Sequence, residues 1–314
     1  MAEATPSTNA SVSASDLARE RPYLLGVAYR LLGSASDAED VVQEALLRVG
    51  ERDDLRSLRA FLTTVVTRLC LDELRSARRR RETYVGPWLP EPVLTDALDA
   101  PASQGAEHKE SVSLAFLVVL EQLSPLERAV FVLREVFDLE FSEIGQAIGR
   151  SEAACRKLLQ RARERVAQKP PHAPAEPGAQ HAIASAFFTA LASGDLTALV
   201  EILAAEATMT TDHGGKASAA RKPLRGAERV ARFFVGLAAK GARWNLGYLG
   251  TPAYVNGAPA LVVRRSDGGI ETVAVLNIEQ TPRGPRITSI GVVRNPDKLA
   301  AVGRELSLAV HGKV

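Results

Sequence analysis

The sequence SDAEDVVQEALLRVGERDDLRSLRAFLTTVVTRLCLDELRSARRRR, residues 36–81, changes its electrical character partway along. Residues 37–54 contain seven acids and two bases, whereas residues 72–81 contain five arginines and two acids. An acidic surface suits a basic protein partner, and an arginine-rich surface suits the phosphates of nucleic acid. The rest of the chain is interpreted around this contrast.

Both halves of this stretch have the apolar spacing of amphipathic helices. Ser36 followed by Glu39 matches a capping box, which predicts that one helix begins there, and Ser57 can cap a second helix. The apolar stripes are Ala38, Val41, Val42, Ala45, Leu46 and Val49 in the first helix, and Leu58, Phe61, Leu62, Val65, Val66, Leu69 and Leu74 in the second. The polar face of the second helix carries Arg59, Thr63, Thr67, Arg68 and Arg75.

The segments DAEDVVQEALLRV (37–49) and FLTTVVTRLCLDELRSARRR (61–80) resemble region 2 of bacterial extracytoplasmic-function (ECF) sigma factors. The resemblance implies that the first helix docks on the clamp of core RNA polymerase. It also implies that the connecting loop and the second helix capture the melted −10 promoter strand. The residues expected at the clamp are Asp37, Asp40, Gln43, Glu44 and Arg48, and those expected at the −10 element are Arg56, Arg59, Thr63, Thr67, Arg68, Arg75 and Arg78. The alternative is two surface helices with a solvated run of charge.

Length and composition are those of an ordinary multidomain protein. The 314 residues allow two or three domains, and 46% hydrophobic and 24% charged residues are typical of globular chains. We expect residues 1–15 to form a disordered tail and not a secretion signal. Because no apolar run is long enough to span a membrane, we expect a cytoplasmic protein without membrane contact. Cys70 and Cys155 are expected to be buried free thiols.

A proline-rich segment follows the first module, which is predicted to be three helices over residues 16–82 with Gly33 ending the first of them. Residues 83–109 contain four prolines, which exclude a continuous helix, together with Tyr84 and Trp88. Aromatic residues in a proline-rich strip are typical of docking onto a surface, with a core-packing tether as the alternative.

Residues 110–169 are predicted to form a second helical module. Ser124 and Glu127 form a capping box, and a short helix over residues 141–148 is followed by Gly149 and by a longer helix capped by Ser151. This order is typical of a helix-turn-helix, and FSEIGQAIGRSEAACRKLLQRAR (141–163) resembles ECF region 4, the reader of the −35 element. The residues expected at DNA are Ser151, Glu152, Arg156, Lys157, Gln160, Arg161 and Arg163. A helical hairpin with a basic solvent face would explain the pattern without DNA.

After a second proline-rich linker, residues 170–179, the pattern changes to helices followed by strands. We expect helices over residues 180–193, 196–204 and 228–240, and strands over residues 243–249, 258–265, 270–280 and 286–294. Asn256-Gly257 is among the turn signals between the strands. The order predicts an α+β domain over residues 180–294, similar to the SnoaL-like, nuclear-transport-factor-like cone whose sheet encloses an apolar pocket.

Some SnoaL-like folds are enzymes that use an aspartate or a histidine as acid or base. Asp212 and His213 in TDHGGK (211–216) are the candidates here, with Trp244, Tyr248 and Asn277 as candidate pocket lining. The two glycines after His213 equally favour a tight structural or docking loop. We expect no enzymatic activity, no cofactor and no metal.

Three motifs resemble the signatures of one ECF subgroup, the one that carries a SnoaL-like extension. They are WLPEP (88–92), DHGGK (212–216), where His213 replaces a glycine of the subgroup, and NPDKL (295–299) in the C-terminal segment 295–314. NPDKL is also a helix-start signal, so a capped C-terminal helix is expected there. The resemblance implies interdomain regulatory roles for Trp88, Leu89, Pro90, Asp212, His213, Gly214, Gly215, Lys216, Asn295, Pro296, Asp297, Lys298 and Leu299.

The sequence therefore predicts a multidomain chain of two all-α sigma modules followed by an α+β SnoaL-like domain. The expected function is to bind core RNA polymerase and promoter DNA and to initiate transcription. The SnoaL-like domain is expected to regulate this activity in place of an anti-sigma factor, and a small apolar ligand in its pocket could bias its docking. Two other functions stay open: a helix-turn-helix regulator that never joins polymerase, and a cyclase-like enzyme fused to a DNA reader.

Overall fold

A computed structural model describes residues 12–49, 57–82, 84–95, 113–167, 173–220, 222–243, 249–300 and 302. For residues 77–82 and 241–243 it describes the backbone alone.

The first module contains helices α1 (Ala14–Leu32), α2 (Ala35–Leu47) and α3 (Leu58–Glu82). Gly33 ends α1 at φ 68°, as predicted. The capping box predicted for Ser36 and Glu39 is wrong. Ser34 is the N-cap of α2, because its hydroxyl accepts the Asp37 N–H, while the Ser36 hydroxyl donates to Glu91 of the linker.

The second module contains α4 (Leu114–Leu120), α5 (Pro125–Phe131), α6 (Phe141–Ile148) and α7 (Glu152–Ala167). A π-helical stretch, Val132–Val136, continues α5. The predicted capping box of Ser124 and Glu127 is present. Gly149 ends α6 at φ 66°, and the Ala154 N–H donates to Ser151 Oγ over 3.3 Å. The predicted helix-turn-helix is therefore confirmed.

The C-terminal domain combines helices with one six-stranded sheet. Its elements are α8 (Pro177–Ser193), α9 (Leu196–Ile202), β1 (Leu203–Asp212), β2 (Leu224–Arg225), α10 (Ala227–Arg243), β3 (Leu249–Val255), β4 (Ala258–Arg264), β5 (Ile270–Thr281), β6 (Gly284–Val293) and α11 (Pro296–Leu299). The strand order is β2-β1-β6-β5-β4-β3, with β1 parallel to β6 and the other neighbours antiparallel. The predicted α+β class is confirmed.

One predicted strand lies mostly outside the described residues, and the structure contradicts it only at its first residue. The strand expected over residues 243–249 has Arg243 as the last residue of α10, and β3 begins only at Leu249. Residues 244–248, including Trp244 and Tyr248, lie outside the described residues. Asn256 and Gly257 have φ values of 52° and 71°, and Val255 pairs with Ala258. Such a two-residue turn requires the strand to run directly into it.

Both faces of the sheet are covered. Leu276 and Ile290 face α8 and α10 and pack in one cluster with Phe187 and Phe234. The alternate residues, such as Val275, face the other way. They pack with Leu89 of the linker, Leu114 of α4 and Leu299. The linker and the start of the second module are therefore part of the core of the C-terminal domain.

The two helical modules share one further core. Leu24 and Leu62 of the first module belong to the same buried cluster as Leu133 and Ile144 of the second module. The modules pack directly on each other, with α3 against α6.

Candidate functional site

The helix α7 presents the surface that the sequence predicted for DNA. Cys155, Leu158, Leu159 and Ala162 are buried. The predicted contact residues, Ser151, Glu152, Arg156, Lys157, Gln160, Arg161 and Arg163, are all exposed. These side chains therefore form one exposed face of the second helix of the helix-turn-helix.

Ion pairs orient several of the bases on α7. Arg156 pairs with Glu152 over 2.8 Å, and Arg163 pairs with Glu135 over 2.7 Å. Glu127 of α5 pairs with Arg165 over 2.5 Å. Burial acts against the charge of Glu127, but hydrogen bonds from Ser124 and the positive charge of Arg165 hold the pKa of this carboxyl below its ordinary value. The carboxylate therefore fixes α7 on α5.

The acidic face of α2 is open. Of the residues predicted to bind polymerase, Asp40, Gln43, Glu44 and Arg48 are exposed, and Asp37 is half-buried. Arg48 pairs with Glu44 over 3.0 Å along the helix. Leu47, which is 72% exposed, adds an apolar group beside this face. A charged rim with an exposed apolar residue is a composition suited to a protein partner.

The polar face of α3 is open only in part, because Arg68 and Arg75 are exposed while its two threonines are not. Thr63 and Thr67 are buried. Arg59 pairs with Glu20 over 2.7 Å and lies over the Tyr23 ring, while Arg75 pairs with Asp72. Arg56 and the side chain of Arg78 lie outside the described residues. The threonines are buried in a conformation in which α6 packs on α3. Their contact with the −10 strand stays a prediction, and it would require a conformation in which the two helices are apart.

Two arginines cap helices across the contact between the modules. Arg68 of α3 donates from Nη2 to the Gln146 carbonyl over 2.9 Å and from Nε to the Ala147 carbonyl over 3.1 Å, both in the last turn of α6. Arg128 of α5 donates in return to the Leu31 carbonyl in the last turn of α1, over 2.8 Å. Burial lowers the pKa of Arg128 to about 10, which still leaves it charged at neutral pH. Cations at helix C-termini are favourable, so this pair of caps stabilises the packing of the two helical modules on each other.

The three motifs meet in one buried cluster between the linker and the C-terminal domain. Asp212, fully buried at the end of β1, accepts hydrogen bonds from Tyr84 over 2.5 Å and from the Leu89 N–H over 2.8 Å. Lys298 pairs with the same carboxylate over 2.6 Å and also donates to the Leu89 carbonyl. Its ammonium lies 4.0 Å from the centre of the Trp88 ring. Burial and the hydrogen bond to Asp212 raise the pKa of Tyr84 above its ordinary value.

The remaining motif residues complete this cluster. Asn295 caps α11, and its side-chain amide donates to the Tyr84 hydroxyl over 2.9 Å. Lys216 pairs with Asp297 at the surface over 2.5 Å. Buried Pro90 and Leu299, exposed Pro296, and Gly214 and Gly215 with their positive φ values belong to the same region. A Cβ on Gly214 would lie 2.5 Å from the Asn295 amide, so a glycine is required there.

The cluster leaves Asp212 and His213 poorly placed for catalysis. Asp212 is enclosed by three donors, and His213 Nδ1 accepts the Gly215 N–H over 3.0 Å while Gly86 packs against Nε2. Asn277, expected to line a pocket, donates to Ser289 over 2.7 Å. The contacts of Asp212 and His213 serve the packing of the domain on the linker, and the Asn277 contact joins two strands within the sheet.

Sequence reasoning missed the residues that extend this interface to the first module. Glu91 contacts the first turn of α2, and Asn256 contacts Tyr29 of α1. Leu114 of α4 packs on Gly291, where a Cβ would lie 2.5 Å from it. The Asn256-Gly257 turn and the glutamate of WLPEP were visible in the sequence, but their partners lie far away along the chain.

Comparisons with known proteins agree with this arrangement. The sigma-70 region 2 family matches residues 17–80, and the sigma-70 region 4 family matches residues 113–166. The chain is 41% identical over 286 residues to ECF RNA polymerase sigma factor SigJ of Mycobacterium tuberculosis, covering 88% of this chain and 90% of the relative. It is 39% identical over 190 residues to the probable ECF sigma factor SigI of that species, covering 58% of this chain and 64% of the relative.

The crystal structure of M. tuberculosis SigJ superposes with a TM-score of 0.71 at 35% identity, covering 93% of this chain and 99% of that one. In the part of the chain that the structure describes, no helix has both the length and the apolar character of a membrane span. Because the likeness to SigJ runs through both helical modules and the C-terminal domain, the chain belongs to the family of ECF RNA polymerase sigma factors.

Proposed function

We propose that this sigma factor works in the cytoplasm, binds the clamp of core polymerase through the acidic face of α2, and reads the −35 element with α7 and the −10 element with α3. In this proposal the functional modules have the boundaries expected from the sequence: residues 16–82 for region 2, 110–169 for region 4 and 180–294 for the SnoaL-like domain. The exposed charges of α2 and α7 support the first two contacts. The third contact requires α6 to leave α3.

The C-terminal domain regulates this activity in place of an anti-sigma factor. The observation that carries this proposal is the buried pair of Asp212 and Lys298, which encloses linker residues Tyr84 to Leu89. The linker connects the two DNA-binding modules, so its docked path sets the distance between them. A buried ion pair with these additional hydrogen bonds gives the docked path a defined geometry.

The contact between α3 and α6 makes the docked form a closed form. Thr63 and Thr67 are buried, and Arg68 is engaged by carbonyl groups that DNA phosphates would have to replace. The docked linker and α4, which packs on the sheet, hold the second module near the first. Release of the linker therefore favours exposure of the −10 reader.

A small apolar ligand would influence this equilibrium at the sheet edge. A cavity of about 730 Å³ lies between α8 and the β3–β4 hairpin, and linker residues Leu94 and Thr95 form part of its wall beside Phe188 and Tyr254. A ligand there would contact the domain and the linker together. It would shift the docked population by the difference in its affinity for the two states.

Promoter-directed transcription tests the proposed function. We compare the full chain with a chain cut near Pro174 and with a chain that ends before Asn295, using purified core polymerase. Regulation by the C-terminal domain predicts different outputs from the three chains, and equal output would rule it out.

Pull-down of core polymerase with Asp40→Arg and Glu44→Arg separates a sigma factor from a helix-turn-helix regulator that never joins polymerase. Loss of turnover of some substrate in Asp212→Asn and His213→Asn, with transcription intact, would instead support the cyclase-like alternative.

A further inference from the structure

The N-terminus of α2 is completed by a residue from the linker and not by its own sequence alone. The Glu91 carboxylate accepts the Ala35 N–H over 2.7 Å and the Ser36 N–H over 3.0 Å, both at Oε2. Its other oxygen accepts the hydroxyls of Ser34 over 3.1 Å and Ser36 over 3.0 Å. Glu91 is 6% exposed, so its carboxylate is largely shielded from water, although Ser36 itself is exposed. A carboxylate at this end satisfies two otherwise unpaired N–H groups and complements the helix dipole.

Backbone contacts hold Glu91 in this position. Its N–H donates to the Gly33 carbonyl over 2.8 Å, and its carbonyl accepts the Tyr29 hydroxyl over 2.6 Å. Tyr29 is fully buried in α1. The glutamate is therefore fixed at three points to the turn between α1 and α2.

The Tyr29 hydroxyl also connects the C-terminal domain to Glu91. Asn256, in the β3–β4 turn, donates from Nδ2 to the Tyr29 hydroxyl over 2.7 Å. Its Oδ1 accepts the Val93 N–H over 3.1 Å, and its own N–H donates to the Val93 carbonyl over 2.8 Å. Asn256 is fully buried with φ 52°, a conformation that asparagine tolerates better than most residues. One turn residue of the sheet thus holds both the linker backbone and the tyrosine that holds Glu91.

We infer that Glu91 is a positioning residue for the polymerase-binding face of α2, and that Asn256 of the C-terminal domain keeps it in place. This inference rests on the proposed function, because it assumes that α2 binds the clamp. Glu91 itself is buried behind the helix and does not belong to the exposed acidic face. Its effect on polymerase is transmitted through the first turn of α2, which carries Asp37 and precedes Asp40.

Affinity for core polymerase tests this inference in the full-length chain. Glu91→Gln keeps the size of the side chain but replaces one acceptor oxygen by a donor group that faces N–H groups. Asn256→Asp tolerates the positive φ and keeps the acceptor for Val93, but it loses the donor to Tyr29. We expect the affinity for core polymerase to fall about tenfold in Glu91→Gln and about threefold in Asn256→Asp, following the loss of charged and neutral hydrogen bonds. The double variant is expected to be no weaker than Glu91→Gln, because Asn256 acts only by holding Glu91 in place through Tyr29 and the linker backbone.

Two further measurements separate positioning from general destabilisation. Amide exchange at Ala35 and Ser36 is expected to accelerate in both variants, while binding of a −35 half-site by α7 stays unchanged. The matched controls are Asn277→Asp, whose amide bonds only to Ser289 on the sheet among the described contacts, and Glu228→Gln, an exposed glutamate paired with Arg232. Both controls are expected to bind polymerase as the wild type does.

Failure of the proposed clamp contact and failure of the inference give different results. If Asp40→Arg leaves polymerase affinity unchanged, the proposed clamp contact fails and the inference falls with it. If Asp40→Arg weakens binding but Glu91→Gln does not, the inference alone is overturned. An effect of Glu91→Gln without any effect of Asn256→Asp, or an equal effect of Asn277→Asp, would overturn the role of the C-terminal domain.

Discussion

At the scale of single residues, the account depends most on the pair of Lys298 and Asp212. Both side chains are buried, and the Tyr84 hydroxyl, the Leu89 backbone and the Trp88 ring that contact them all belong to the linker. The pair therefore links the stability of the C-terminal domain to the docked position of the linker.

Replacing Lys298 by methionine is expected to destabilise the docked form strongly. The substitution leaves a buried carboxylate without its cation, which typically costs about 3–5 kcal/mol. Thermal unfolding of the full chain measures the loss. Lys216→Met is the control, because its pair with Asp297 is exposed and is expected to contribute less than about 1 kcal/mol. Equal stability of the two variants would show that the buried pair does not hold the interface.

Glu127 is expected to give the helix-turn-helix module a specific pH dependence. Its pKa is lower in the folded chain than in the unfolded chain, so its stabilising contribution is fully present above the unfolded pKa of about 4.3. The contribution is lost as the pH falls through the folded pKa. Denaturation of wild type and Glu127→Gln should thus differ at pH 7 and converge in acid. If the stability difference between wild type and Glu127→Gln grew as the pH fell, the pKa of Glu127 would not be lowered by folding.

At the scale of secondary-structure elements, the sequence predicted the boundaries that a few neighbouring residues determine by themselves. Gly149 and Ser151 fixed the boundary between α6 and α7, because a left-handed cap and an N-cap are properties of a few neighbouring residues. Most of the strand β3 was not predicted, because Gly250 and Pro252 interrupt its pattern and its pairing depends on the Asn256 turn. The parallel pairing of β1 with β6 joins Met209 to Ile290, and no local pattern records such a contact.

The candidate site was predictable in part for the same reason. The face of α7 predicted to contact DNA follows from helical periodicity, and its residues are exposed. Thr63 and Thr67 also follow helical periodicity, yet they are buried, because the partner α6 covers a polar stripe that looks like a solvent face. The contact of Glu91 with Ala35 joins residues 56 positions apart, so the sequence could identify the glutamate but not its partner.

The packing of the two helical modules, which includes the contact between α3 and α6, is expected to weaken when Arg128 on α5 is replaced by methionine. The change removes the cap on the Leu31 carbonyl and the pair with Glu121, and charged hydrogen bonds contribute about 1.5–3 kcal/mol each. We expect the free protein to bind a −10 non-template oligonucleotide about tenfold more tightly, measured by fluorescence anisotropy. Arg232→Met on α10 is the control. Unchanged oligonucleotide binding by Arg128→Met, with −35 binding intact, would argue against occlusion of α3.

At the scale of the whole molecule, the closed chain exposes some of its predicted binding surfaces and buries parts of others. The face of α2 and the face of α7 are exposed, whereas Thr63 and Thr67 of α3 are buried, and buried Leu89 of the linker packs with the C-terminal domain. We therefore expect the closed form to bind polymerase and the −35 element. Reading of the −10 element then requires separation of the two helical modules.

The distance between α3 and α6 during initiation tests this expectation most directly. Fluorophores at Asp72→Cys and Ser142→Cys lie on exposed positions of the two helices, and the native Cys70 and Cys155 are buried and protected from labelling. We predict high energy-transfer efficiency in the free chain and a clear fall in the complex with core polymerase and promoter DNA that is active in run-off transcription. Unchanged efficiency in that active complex would contradict the account, because α3 would then be working while still covered by α6.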